Sequence, residues 1–111
     1  MHELAVAQNI VSIIETEAKK EKFRRVLKIR LSIGEYSGVV PACIEEMFPF
    51  AASGTVAEGA TLTSAVIPAA IRCADCGYEG PPQKAQCPAC GGSGFKLIAG
   101  REFFVDSIEV E

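Results

Sequence analysis

Residues 25–34 read RVLKIRLSIG, and the order of everything else in the chain follows from them. Leu27, Ile29, Leu31 and Ile33 alternate with Lys28, Arg30 and Ser32, a period of two that marks a strand buried on one face and stopped by Gly34. Before it, residues 3–20 (ELAVAQNIVSIIETEAKK) place Leu4, Ala7, Val11, Ile14 and Ala18 at three- and four-residue steps, with Gln8, Ser12, Glu15 and Lys19 opposite. That is an amphipathic helix, and its terminal lysines complement the helix dipole.

After the strand, GEYSGVVP is a loop, and Pro41 suits the first turn of a second helix, PACIEEMFPFAAS. Pro49 lies too deep for a helix start, so a kink or break is expected there, and Gly54 ends the element. Cys43, near Ile44 and Met47, reads as a small core residue. ATLTSAVIP is rich in β-branched residues and closes a further strand at Pro68. The tail REFFVDSIEVE is again strand-like, with Phe104, Asp106, Ile108 and Val110 expected on one face. The expected fold class is α+β: two helices packed on one face of a three-stranded sheet. The division expected is residues 1–68 plus 101–111 as one domain, with 69–100 as a module inserted between the second and third strands.

That module carries the sequence's sharpest signal. CADCGYEGPPQKAQCPAC spaces Cys73, Cys76, Cys87 and Cys90 as two CxxC pairs, each followed by a glycine, Gly77 and Gly91. A two-residue gap lets both thiolates of a pair converge on one ion, and four thiolates satisfy tetrahedral Zn²⁺ with no open position, the donor set of a structural site. Some 30 residues cannot bury enough surface to fold alone. Structural zinc contributes on the order of 10–16 kcal/mol in comparable peptides. Tetrahedral sulfur also accepts iron. An odd total of five cysteines argues against a disulfide framework, and the pairs open no helix of the kind a redox CxxC requires.

Composition bounds the rest. The 111 residues are 49% apolar with formal net charge −3, enough for one real core and no basic field for nucleic acid or anionic lipid. Within 69–100, Arg72, Lys84 and Lys96 stand against Asp75 and Glu79, with no aromatic platform between them. No apolar run approaches the roughly 18 residues of a membrane span, and MHELAVAQ is no secretory leader, so a cytoplasmic protein without membrane or nucleic-acid partners is expected.

The single histidine of the chain is His2. An amino-terminal X-His pair offers the α-amine of residue 1, the His2 amide and an imidazole nitrogen in fused chelate rings, and the Glu3 amide would complete a plane. A planar nitrogen array suits Ni²⁺ or Cu²⁺, whereas Zn²⁺ prefers the thiolate tetrahedron. Alone, this signal competes with an unligated surface histidine and with Glu3 simply favouring the positive helix end.

The opening MHEL, the strand-loop IGEYSGVVP, the run GTVAEGATL, the two cysteine pairs and the ending GREFFVDSIEVE together resemble the HypA/HybF family, over nearly the whole chain and in the same order. These are the small nickel metallochaperones of [NiFe]-hydrogenase maturation. The resemblance implies that Met1, His2 and Glu3 form the nickel site, and that Cys73, Cys76, Cys87 and Cys90 hold structural zinc. It implies a carrier rather than an enzyme, with Ni²⁺ as cargo. The implied partners are a nickel-handling maturation GTPase of the HypB type and the hydrogenase large subunit; some members also serve urease maturation. Pro49 departs from the uninterrupted second helix expected of the family, and the oligomeric state, homodimer included, stays open. The competing reading is a zinc-ribbon adaptor that binds a protein partner and carries no nickel.

Overall fold

The computed structural model describes residues 2–84 and 86–111. Helix α1 (Glu3–Glu21) leads into strand β1 (Val26–Gly34), then α2 (Pro41–Ala52) and β2 (Thr61–Ile67). Strands β3 (Ala70–Cys73), β4 (Glu79–Gly80) and β5 (Phe95–Ala99) follow, and β6 (Phe103–Val110) closes the chain. They form two three-stranded sheets. In the first, β1 lies between β2 and β6; in the second, β3 lies between β4 and β5.

The strand read first in the sequence is the centre of the first sheet. It pairs in parallel with β2 from Lys28↔Thr61 to Gly34↔Ile67, so β1, α2 and β2 form a crossover unit. It pairs antiparallel with β6. Both helices cover one face. Ile29, Leu31, Ile33, Ile44 and Phe48 are no more than 2% exposed and pack with Ala7, Ile10, Val11 and Ile14 of α1. The expected helix stripe holds except at its first member: Leu4 is exposed, and Ile10 takes a place in the core.

Two β-bulges revise the expected strand faces. Val26 pairs with Val110 but Lys28 with Glu109, which leaves Leu27 as an extra residue; Arg30 pairs with Ser107 but Leu31 with Val105, which leaves Asp106 extra. Each insertion breaks the period of two and turns the following side chains over. Val26 is therefore buried where Leu27 was expected. On β6 the residues on the core are Phe103, Val105 and Ile108, while Phe104 faces out at 46% exposure.

Helix α2 differs from expectation in two places. It is continuous through Pro49, so no break occurs there. The side chain of Pro49 is exposed, which puts its ring and its lost hydrogen bond on the solvated face. Cys43 is exposed too, not a core residue. Ile44 and Phe48, one turn apart, supply the buried stripe, and Cys43 falls outside it.

The two sheets meet at a junction made of two chain crossings. The Gly34 N–H donates to the Glu102 carbonyl and the Tyr36 N–H to the Gly100 carbonyl, both at 2.6 Å. Glu35 receives the Ala69 N–H on its carboxylate at 2.7 Å. Gly34 has no alternative, because a Cβ there would overlap the Gly100 carbonyl. The resulting molecule is elongated, 53 × 25 × 17 Å.

Candidate metal centres

The strand β3 ends on Cys73, and the chain turns at once. The Gly77 N–H bonds back to the Cys73 carbonyl at 3.0 Å, and Gly91 repeats this on Cys87 at 2.8 Å. Both glycines take positive φ, 76° and 74°, which side-chain-bearing residues adopt at a cost. These turns bring the sulfurs of Cys73, Cys76, Cys87 and Cys90 within 4.8 Å of one another. The Cys73–Cys90 and Cys76–Cys87 pairs stand 3.6 Å apart. A tetrahedron with metal–sulfur bonds of about 2.3 Å has edges of about 3.8 Å, so the cluster has the size of a Zn²⁺ cage.

Its electrostatics favour thiolate at one corner first. Burial pushes the Cys87 thiol up, but the N–H groups of Cys90 and Ala89 and the sulfurs of Cys76 and Cys90 outweigh this and bring it down to about 7. At Cys76 the Tyr78 N–H pulls down, yet desolvation and hydrogen bonds with Cys87, Cys90 and Cys73 push the thiol up to about 12. Cys90 is also raised; the Gly92 N–H lowers it, and the Cys73 hydrogen bond opposes that. Four sulfurs this close cannot all ionise without a cation among them. The donor set is therefore compatible with structural zinc, which would replace protons as it binds. Cys73 and Cys87 are buried, Cys76 and Cys90 exposed, so each pair has one inner and one outer sulfur.

The other candidate centre lies at the start of α1. His2 is its N-cap residue; the carbonyl accepts the Val6 N–H at 3.1 Å, while the imidazole makes no capping hydrogen bond and is exposed. Glu3 follows in the first turn, where backbone N–H groups lack intrahelical partners. The Glu3 carboxylate is turned away from its own helix and accepts the Val40 N–H at 3.4 Å. Met1 lies outside the described residues.

Sequence reasoning missed what surrounds this terminus. Helix α1 has its start tied to the start of α2 by Glu3, and its later turns tied to the turns that follow α2, where Glu15 receives the Val56 N–H at 3.3 Å. The helices are therefore parallel. The positive ends of two helix dipoles stand side by side at His2, with the Glu3 carboxylate between them. His2 also shares a cleft with Ser37, Val39 and Phe103, which places it at the end of the sheet from which the cysteine module departs.

A protein-family model described as hydrogenase/urease nickel incorporation, metallochaperone, HypA matches residues 1–110. The hydrogenase maturation factor HypA of Dehalococcoides mccartyi (strain CBDB1) is 41% identical over all of this chain and 95% of its own length. That of Geobacter sulfurreducens is 42% identical, with both chains fully covered. In fold, the chain resembles the solution structure of a HypA protein, with TM-score 0.76 at 23% identity, covering 100% of this chain and 97% of the other. It also resembles the solution structure of the nickel metallochaperone HypA from Helicobacter pylori, with TM-score 0.69 at 24% identity over 99% and 97% of the two chains.

Proposed function

This chain belongs to the HypA family of hydrogenase/urease nickel incorporation metallochaperones, and from that premise we propose that it carries Ni²⁺ at its amino terminus and hands it on for [NiFe]-hydrogenase maturation. The observation that carries the reading is the exposed His2 imidazole at the N-cap of α1, which makes no capping hydrogen bond, beside an amide row without helical partners. The α-amine of Met1, the amides of His2 and Glu3 and the imidazole form the donor set. Nitrogen donors in a plane select Ni²⁺ from the ions that the thiolate cluster prefers. Cys73, Cys76, Cys87 and Cys90 hold Zn²⁺, which ties down residues 69–100. Residues 1–68 with 101–111 are the nickel-handling unit.

Transfer proceeds by ligand exchange to a partner's donors. The acceptors are a maturation GTPase and the hydrogenase large subunit, since the chain has no phosphate loop of its own. The paired helix N-termini at His2 repel a bound cation and stabilise deprotonated amides. The first effect favours release and the second favours planar binding, and Glu3 moderates both.

The test is spectroscopic. Untagged protein loaded with one equivalent of Ni²⁺ is expected to show the weak visible d–d band of planar nitrogen coordination. The same protein with residues fused ahead of Met1 is expected to lose it, because the fusion consumes the α-amine. Nickel bound among thiolates, or an unchanged band in the fusion, would overturn the assignment.

A further inference from the structure

Gly92 stands two residues beyond Cys90, and the space its side chain would need is taken. A Cβ there would lie 2.9 Å from Oδ2 of Asp75 and 3.3 Å from the Cys90 sulfur. Both atoms border one point, so the carboxylate and the sulfur are at most about 6 Å apart. Gly92 is not among the glycines of positive φ, so clearance, not backbone conformation, is what glycine provides here. Asp75 itself belongs to the other cysteine pair, between Cys73 and Cys76, and crosses to the second turn. Backbone holds the crossing in place. The Ala74 N–H donates to the Gly94 carbonyl and the Cys87 N–H to the Gly92 carbonyl, both at 2.9 Å. Among the described residues no ion pair involves Asp75; Arg72, the cation closest to it in sequence, is taken up by Glu79 at 3.4 Å.

Four thiolates carry more negative charge than one divalent ion cancels. A further carboxylate beside one of them weakens that thiolate's hold, because like charges repel and the sulfur relieves the repulsion by moving away. Cys90 is one of the two outer, exposed sulfurs. We propose that Asp75 makes Cys90 the corner of the cage that opens first, and so sets the rate at which bound zinc is given up. The cage then opens in a fixed order: Cys73 and Cys87 stay inside, and Cys90 is the sulfur that lets go. This rests on the zinc reading of the four cysteines and gives a role to a residue that holds no metal itself.

The decisive experiment uses the full-length, zinc-loaded chain at one fixed neutral pH. Excess 4-(2-pyridylazo)resorcinol reads the rate of zinc release from the native protein and from Asp75→Asn, which keeps the shape and removes the charge. Asp75→Asn is expected to release zinc about fivefold more slowly at low salt. The gap is expected to close in about 1 M salt, where the screening length falls to about 3 Å. A merely structural effect of the substitution would not be screened. In a parallel arm N-ethylmaleimide is present while the chelator works, and peptide mass spectrometry reads the order in which the cysteines are alkylated. Cys43, exposed and outside the cluster, is the reference thiol. Within the cluster Cys90 is expected to react first in the native protein and to lose that lead in Asp75→Asn. Equal release rates, a gap indifferent to salt, or Cys76 reacting first overturns the proposal and leaves the cage in place. Protein that takes up no zinc at all overturns the cage and the proposal with it.

Discussion

Glu3 of α1 caps a helix to which it does not belong: its Oε2 accepts the N–H of Val40, the N-cap residue of α2. In a capping box this N–H is met by a glutamate three residues into the same helix. That position in α2 is Cys43, so the neighbouring helix supplies the carboxylate instead.

The two inter-helix carboxylates give the first prediction. Glu3→Ala is expected to cost about 0.5 kcal/mol, because the bond is long and exposed, and Glu15→Ala about 1 kcal/mol, because its bond to Val56 is partly buried. Twelve residues of helix separate them by about 18 Å, so the double variant should show the sum within about 0.5 kcal/mol. Urea denaturation of the zinc-loaded protein measures all three.

His2→Ala is expected to abolish tight nickel binding while leaving zinc content and far-ultraviolet circular dichroism unchanged. The imidazole caps nothing and packs in no core, so its loss removes a donor and no structure. Titration calorimetry alongside metal analysis reads both. A variant that still binds one Ni²⁺ with native affinity contradicts the ligand set.

Cys87→Ser should release zinc and unfold the β3–β5 sheet, while α1, α2 and the first sheet persist. The core of the first sheet contains no residue of the cysteine cluster, and Cys87 is an inner, buried sulfur. Hydrogen exchange is expected to rise across residues 70–99 and stay low at Ile29, Leu31 and Ile33. Uniform loss of protection would mean that the two sheets fold as one unit.

At the junction, Gly34→Ala is expected to destabilise the protein by about 2–4 kcal/mol, since the new methyl must displace backbone rather than a movable side chain. Thermal unfolding measures it. Gly54→Ala provides the contrast: no atom lies within 4 Å of its would-be Cβ, and only its φ of +77° opposes the change.

Acid should act on the same junction through Glu102. Its own N–H, with those of Gly100 and Arg101, holds the carboxyl below the ordinary 4.5. A carboxyl depressed in the native state binds fewer protons there than in the unfolded chain. Its contribution is complete above about pH 4.5 and is lost as pH falls through the lower native value. Glu102→Gln removes that dependence, so the stability gap between native and variant should narrow on acidification. A gap that stays constant into acid would exclude the carboxylate from the junction.

The cysteine cluster was legible because its signal is local. Two cysteines three positions apart converge through one turn, the spacing that brings both sulfurs to one point. The helix stripe and the alternating strand were equally plain, since burial on one face imposes a period on neighbours in sequence. The failures came where one residue depended on a distant one. Leu27 and Asp106 became bulge residues through the pairing of β1 with β6, and the alternation turned over after each. Cys43 fell outside the buried stripe because packing is set by Ile44 and Phe48, and Pro49 stayed in its helix because its ring faces water.

By itself, then, the sequence determined the two helices, the three strands of the first sheet, the cysteine cluster and the order in which they come, but not the strands of the second sheet. Only the tertiary structure decided that the two helices run parallel, that Glu3 serves Val40, and that His2 lines a cleft with Phe103 at the end where the cysteine module departs. Periodicity and ligand spacing are encoded by residues within a turn of one another. Helix direction, bulge placement and clefts arise from contacts between residues tens of positions apart, which no local pattern records.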